Sequence, residues 1–287
     1  MQSVALLGTG TMGARMAARL AQAGHPLVVW NRNRTRAEPL ASLGAGIADT
    51  PRDAAAGTDV VIAIVADDSA SRAVWLGDAG ALAGARPGAV LIESSTLTPA
   101  WIRELATAAA EHGCDFLDAP VTGSRTQAEA GELLFLVGGA AGAVERVRGV
   151  LAVLSRGVVH LGPVGSGALM KLVNNFMAAV QVAALAEALA LIERSGLARD
   201  QAMSILLDGA PGSPIVKAVA PRMLNRDYDV HFSLVLMHKD LTYALAEGSR
   251  FNVPLDTADA ALRSFQRALD QGLGPQDMSA IIEPLRA

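Results

Sequence analysis

Short apolar runs alternate with amphipathic segments through the first half of the chain. Val4–Leu7, Leu27–Trp30, Val60–Val65, Val90–Glu93, Phe116–Asp118, Leu133–Val137 and Val158–Leu161 are candidate strands. Most are apolar on both alternations, as expected of strands covered by helices on both faces. Between them Met12–Ala23, Arg34–Leu43, Pro99–His112 and Ala141–Leu154 carry helical periodicity. The pattern predicts an α/β Rossmann domain, a mostly parallel doubly wound sheet, over residues 1–162.

After Gly162 the strand signals stop. Gly165-Ser166-Gly167 opens a long apolar helix over about 165–194, ended by Ser195-Gly196. Helical stretches near Arg199–Leu207, Ile215–Leu224, Ser233–Gly248 and Thr257–Gln271 follow, with another near the C-terminus. Residues 163–287 therefore read as an all-helical substrate and dimerisation domain joined to the first by the long helix. That helix is apolar nearly all round its middle, which predicts burial on several sides and a homodimer or homotetramer.

Composition narrows the function. With 51% hydrophobic and 4% aromatic residues, the core is built mostly from small and aliphatic side chains. A net charge of -4 offers no basic field to nucleic acid or to an anionic membrane. Leu172–Ala186 is too short and too polar, with Asn174, Asn175 and Gln181, for a membrane span. The single cysteine, Cys114, excludes an internal disulfide framework; it reads as a small buried apolar side chain. With no targeting signal at the start of the chain, the expected location is the cytoplasm.

Gly8-Thr9-Gly10-Thr11-Met12-Gly13 fits G-x-G-x-x-G directly after a strand and at the start of a helix. That context is what a dinucleotide-binding turn requires: tight turning at Gly8, close backbone approach at Gly10 and close helix packing at Gly13. The second strand ends Trp30-Asn31-Arg32, with Thr35 shortly after. Asn31 stands where an acid would hold the ribose 2′-OH of NAD, and Arg32 suits a 2′-phosphate, so NADP is expected over NAD. The competing reading is a solvated arginine cluster at a helix start. Val65, at the end of the third long apolar run, joins the cofactor-binding candidates.

Lys171, Asn174 and Asn175 lie at helical spacing near the start of the long helix. A lysine in so apolar a helix is costly to bury without a role or a partner, and burial lowers its pKa toward proton-transfer range. A snorkelling lysine with its ammonium in water is the alternative. Helix arguments alone leave both open.

These residues also carry a resemblance. The whole chain resembles the β-hydroxyacid dehydrogenase family, which includes 3-hydroxyisobutyrate, tartronate semialdehyde and glyoxylate/succinic semialdehyde reductases. Asp118-Ala119-Pro120-Val121-Thr122-Gly123 resembles its D-A-P-V-S-G substrate motif. Gly167 to Asn175 resembles its G-x-x-x-K-x-x-x-N motif, and Lys239-Asp240 its late K-D motif. The resemblance implies that Lys171 is general acid and base and that Asn175 aligns the substrate oxygen. It implies a substrate carboxylate on Thr122 and the Gly123 amide, with Ser124, Asn174, Phe232 and Asp240 around the substrate. Thr96 would stand beside the nicotinamide, and Lys239 would contact the cofactor from the second domain.

Departures refine this. Thr122 replaces the commoner serine, and Ser124-Arg125-Thr126-Gln127-Ala128-Glu129 looks most like the glyoxylate/succinic semialdehyde reductase branch. The expectation is an NADPH-preferring oxidoreductase interconverting a small aldehyde or keto acid and its hydroxy acid. An imine reductase of the same architecture is one rival, although those enzymes usually lack the lysine. A non-catalytic NADP-binding regulatory module is another. His25, His112 and His160 are isolated, so no metal site is expected; His238 could line the cofactor cleft. Trp30, Trp75 and Trp101 read as packing residues.

Overall fold

The computed structural model describes residues 1–286 of the 287-residue chain. Its strands are β1 Val4–Leu7, β2 Leu27–Trp30, β3 Gly46–Ile47, β4 Val60–Ala63, β5 Val90–Glu93, β6 Asp115–Asp118, β7 Val121–Thr122, β8 Leu133–Gly139 and β9 Ser155–Gly162. Six of them run parallel in the order β3-β2-β1-β4-β5-β6, the strand order of a dinucleotide-binding sheet. β6 and β7 both pair antiparallel with β8, and β9 pairs parallel along its other edge. Every residue of β1, β4 and β5 is buried, as the uniformly apolar runs require.

The helices of this half are α1 Gly13–Gln22, α2 Pro51–Ala55, α3 Asp68–Trp75, α4 Ala81–Gly84, α5 Pro99–Glu111, α6 Arg125–Ala130 and α7 Ala141–Leu154. α1 and α7 cover one face of the sheet, with Met16, Leu20, Val147 and Leu151 in the core. α3 and α5 cover the other, with Trp75, Trp101 and Leu105. α5 starts where its sequence says it should: Thr98 accepts from the Trp101 amide at 3.2 Å, and Pro99 occupies the first turn.

Two stretches depart from expectation. Arg34–Leu43 forms two 3₁₀ helices, Arg34–Arg36 and Glu38–Leu43. Pro39 lacks the N–H that an α-helix through this stretch would need. The strand from Val60 stops at Ala63, which leaves Ile64 and Val65 in the following loop.

The 30-residue α8, Ser166–Ser195, spans the junction between two compact units, Met1–Lys171 and Leu172–Ala287. In the first unit its start is tied to the sheet by Asp118, the fully buried last residue of β6. The Asp118 carboxylate accepts the Gly165 amide on Oδ1 and the Ala168 amide on Oδ2, both at 2.8 Å. Two glycines permit the close approach. A Cβ on Gly167 would lie 2.2 Å from the Leu136 carbonyl oxygen, and one on Gly138 would lie 2.4 Å from Asp118 Oδ1.

The second unit is helical: the rest of α8, then α9 Arg199–Asp208, α10 Pro214–Asn225, α11 Leu234–Arg250, α12 Asp256–Asp270 and α13 Glu283–Arg286. By length and composition α8 could cross a membrane, contrary to the reading of its charge-free stretch, because the whole helix supplies a longer apolar window. Half of that window is buried. Ala179, Val182, Leu185, Ala186, Leu189 and Ile192 belong to a core shared with Val219, Leu241 and Phe265.

Burial pushes the Asp118 carboxyl up to about 6, against the backbone amides that favour its charged form. Folding therefore takes up a proton between the ordinary carboxylate range and pH 6, and ionising Asp118 in the fold costs about 3 kcal/mol relative to the unfolded chain. The expected result is that the unfolding free energy of wild type minus that of Asp118→Asn falls as pH rises from about 4 to about 6 and then levels. Urea melts of both proteins across that range measure it; a difference that rises with pH would show that the amides outweigh burial.

Candidate active site

In the first unit, the loop after β1 and the start of α1 carry the glycine motif. Gly8 has φ +100°, and a Cβ there would stand 2.2 Å from the Ile64 carbonyl oxygen. A Cβ on Gly13 would stand 1.9 Å from the Gly8 carbonyl oxygen. Both glycines are thus demanded by the turn itself. Gly10 is different: nothing lies within 4 Å of where its Cβ would be. Its missing side chain leaves room for something outside the protein chain.

Two buried hydroxyls point the same way. Thr9 Oγ1 after β1 and Ser94 Oγ after β5 lack hydrogen-bond partners, although both residues are only 3% exposed. They follow the carboxyl ends of two sheet strands, where open α/β sheets bind ligands. A dinucleotide fits this loop. Thr11 is exposed and Met12 half-buried at the start of α1, where free amides favour a phosphate.

Asn31 follows β2. Its Oδ1 accepts the Thr9 amide at 3.0 Å, and its Nδ2 donates to the Asn33 carbonyl at 2.9 Å. Asn31 therefore shapes the glycine loop, and Arg32 and Thr35 stand exposed beside it. Arg34 is paired with Asp49.

The loops after β4 and β5 meet around Glu93, a fully buried carboxylate that sequence reasoning did not single out. Its Oε2 accepts from the Ser71 hydroxyl at 2.6 Å and the Trp75 indole at 2.8 Å. Its Oε1 accepts the Ser95 amide at 2.9 Å. The Trp101 indole donates to Ser71 Oγ at 2.9 Å, and the Val65 amide donates to Ser95 Oγ at 2.7 Å. Burial pushes the Glu93 carboxyl up, opposed by the donors from Ser71, Ser95 and Trp75. Trp75 and Trp101 are thus packing residues with a second duty. The available sequence signal was an acid closing an otherwise apolar strand.

The Asp118–Gly123 motif divides by duty. Asp118 holds α8, Val121 packs in the core, and Thr122 is half-buried with no hydrogen bond from its hydroxyl among the described residues. Gly123 has φ +122° and is exposed. Ser124 caps α6 by giving its amide and hydroxyl to Gln127 Oε1, at 2.8 and 2.7 Å, so its donors are already engaged. Lys171, at the end of this unit, is only 8% exposed. It is buried and does not snorkel.

In the second unit, Asn174 Nδ2 donates to Asn175 Oδ1 at 2.9 Å, and Asn175 Nδ2 donates to Asp240 Oδ2 at 2.6 Å. Lys239 Nζ lies 2.9 Å from Asp240 Oδ1 and 4.7 Å from the centre of the Tyr243 ring. Asn174, Asn175, Lys239 and Asp240 thus form one polar chain between α8 and α11. Asn175 and Asp240 are 4% and 1% exposed, so that chain is a committed arrangement and not a surface contact.

The loop before α11 is organised by Asp277, which no sequence signal marked. It accepts the amides of His231 at 2.9 Å and Phe232 at 3.0 Å, and that of Ser279 at 3.1 Å. Phe232 is half-buried at the rim of this core. His238 turns toward Gln266 and Asp270 of α12, and burial pushes its pKa down against them.

Family models match in two blocks. Residues 3–162 match the NAD binding domain of 6-phosphogluconate dehydrogenase, and residues 165–285 match the NAD-binding domain of NADP-dependent 3-hydroxyisobutyrate dehydrogenase. An NAD-dependent L-serine dehydrogenase of Pseudomonas aeruginosa is 36% identical over 98% of this chain and 97% of that protein. A chloroplastic glyoxylate/succinic semialdehyde reductase 2 of Arabidopsis thaliana is 33% identical over 99% of this chain and 80% of that protein. The structure of a Mycobacterium tuberculosis 3-hydroxyisobutyrate dehydrogenase with L-serine superposes with a TM-score of 0.89 at 32% identity, covering 100% of both chains. With the sheet order, the glycine loop and both helical motifs in place, the chain belongs to the β-hydroxyacid dehydrogenase family of NAD(P)-dependent oxidoreductases.

Proposed function

We propose that the protein is an NADPH-preferring reductase of a small aldehyde or keto acid, of the glyoxylate/succinic semialdehyde or 3-hydroxyisobutyrate type. The carrying observation is Lys171, a buried ammonium one helical turn before Asn175 on an apolar helix. A buried charge persists only with partners or a task, and proton transfer to a carbonyl oxygen is a task an ammonium can perform.

The residues divide the work. The loop from Gly8 to Gly13 would hold the pyrophosphate on the α1 amides, with Val65 and Thr96 as further cofactor contacts. When bound, reduced nicotinamide supplies the hydride. Lys171 gives a proton to the carbonyl oxygen in reduction and takes it back from the alcohol in oxidation. Asn175, held by Asp240, keeps that oxygen and the lysine in line. Thr122, whose hydroxyl is uncommitted, and the Gly123 amide take the substrate carboxylate.

The preference for NADPH rests on Asn31 and Arg32. Asn31 is spent on the loop and offers no carboxylate to repel a 2′-phosphate, while Arg32 is exposed beside it. A cytoplasmic homodimer or homotetramer is the proposed setting. The lone cysteine supports the first, and Met177 and Leu191, exposed on α8, support the second.

Consumption of NADPH and NADH, followed at 340 nm with a panel of aldehyde acids and one cyclic imine, tests this reading. An aldehyde acid should be turned over with NADPH, and Lys171→Ala should lower kcat by about 10²–10⁴-fold, the usual worth of a positioned acid or base. Tight NADPH binding with turnover only of the imine, or with no turnover, would refute it.

For the cofactor, Arg32→Ala should weaken NADPH binding about tenfold, the loss of one charge-assisted hydrogen bond, and leave NADH binding unchanged. Equal effects on both would return Arg32 to the solvent.

The glycines separate fold from ligand. Gly10→Ala should leave the melting temperature nearly unchanged and weaken dinucleotide binding, because its Cβ meets only open space. Gly13→Ala should destabilise the protein itself by about 1–3 kcal/mol or more, since its Cβ would overlap the Gly8 carbonyl. Thermal melts with and without NADPH distinguish the two patterns.

A further inference from the structure

Glu93 is a fully buried acid of the first unit, and the proposed chemistry leaves it unused. It is 0% exposed, and among the described residues no lysine, arginine or histidine forms an ion pair with it. A carboxylate kept in such a place without a cation is costly. What it receives instead is a set of donors drawn from three elements. Ser71 and Trp75 come from α3, Ser95 from the loop after β5, and Trp101 of α5 joins through Ser71.

The donor set dictates the residue. The Trp75 indole N–H points at Oε2 and the Ser95 amide N–H at Oε1, and neither group can accept in return. Both side-chain oxygens must therefore be acceptors. A glutamine would direct its NH₂ group at one of these N–H donors whichever way it flipped. An aspartate would fall one methylene short.

The network leads toward the glycine loop. Ser95, placed by its amide on Glu93, accepts the Val65 amide at 2.7 Å. Val65 in turn flanks the glycine turn, since a Cβ on Gly8 would lie 3.2 Å from Val65 Cγ1. Thr96 is the next residue after Ser95. The loop after β4 and the loop after β5 therefore share a single buried anchor. Ser94, between Glu93 and Ser95, keeps its Oγ buried and unpartnered.

We infer that Glu93 is a positioning residue for the nicotinamide half of the cofactor: through Ser95 it sets where Val65 and Thr96 stand. The inference rests on the cofactor reading given above. Glu93 touches neither substrate nor cofactor and acts only through the two loops. The loop after β2, where Arg32 stands, is tied to the chain by a different bond, the Thr9 amide donating to Asn31 Oδ1, and among the described residues Asn31 has no hydrogen bond to Glu93 or Ser95.

That division supplies the test. Binding of NADPH and of 2′-phospho-ADP-ribose, which lacks the nicotinamide, is measured by titration calorimetry for wild type, Glu93→Gln, Ser71→Ala and Ser95→Ala. The Kd for NADPH should rise about tenfold or more in Glu93→Gln and Ser95→Ala, while that for the fragment stays within about twofold, as expected when one half of a site loses its alignment. Ser71→Ala, which removes one donor and strands the Trp101 indole, should fall between. A purely structural role would lower the melting temperature and weaken both ligands together, and that result, or no change in either, would overturn the inference. Should Glu93→Gln not fold, Ser95→Ala keeps the carboxylate and its bond from the residue 95 amide but removes the hydroxyl that joins it to Val65, so it decides alone. Wild type that binds neither compound would overturn the cofactor reading itself, and the inference with it.

Discussion

The carboxylate of Asp118 joins the last parallel strand to the start of the 30-residue helix α8. A helix begins with backbone amides that have no partner within it, and a buried helix start must find acceptors elsewhere. Here one side chain at the end of β6 supplies them. Gly138 and Gly167 remove the atoms that would otherwise keep helix and sheet apart. Lys171 stands three residues beyond the last amide that Asp118 holds, so its place in the first unit follows from that bond. The Asp-Ala-Pro string thus has a mechanical role at its first residue, while Thr122 and Gly123 beyond it are respectively half-buried and exposed.

Three fully buried carboxylates, Glu93, Asp118 and Asp277, perform the same kind of task. Each sits at the end of an element or in a turn and gathers N–H or O–H donors from loops that carry candidate site residues. Glu93 holds the loops of Val65 and Thr96, Asp118 holds the start of α8, and Asp277 holds the loop of Phe232. The electrostatic balance differs among them. Burial outweighs the donors at Glu93 and Asp118, whereas at Asp277 the donors outweigh burial and keep the carboxyl below its usual range. Arg222, 3.3 Å away, adds a cation that the other two lack. Rigid support of this kind is what a hydride-transfer site requires, because small displacements of the reacting atoms are costly.

Much of the architecture was legible in the chain. Buried parallel strands declare themselves as short unbroken apolar runs, and long helices as periodic ones, so both survive reading without neighbours. The glycine loop was legible for a similar reason: a strand, a tight turn and a helix in immediate succession form one local unit. Its three glycines looked alike in sequence, however, and only the packing separates Gly8 and Gly13, which the turn needs, from Gly10, which faces open space. Strands of two residues, such as β3 and β7, and helices of four to six, such as α2, α4 and α6, show no period and were missed. Arg34–Leu43 has the periodicity of one helix, but Pro39 interrupts it and the chain forms two short 3₁₀ helices instead.

What the sequence determined by itself was therefore the class of the fold, the dinucleotide turn, and a lysine and asparagine four residues apart on an apolar helix. Each depends on contacts between near neighbours in the chain. What only the tertiary structure decided was the burial of Lys171, the commitment of Asn175 to Asp240 and of Ser124 to Gln127, and the gathering of Ser71, Trp75 and Ser95 on Glu93. The partners of Asn175 and Glu93 lie as many as 65 residues away. Distant hydrogen bonds leave no periodic trace, since a buried polar group needs only some donor or acceptor within reach, and the fold alone determines which one arrives.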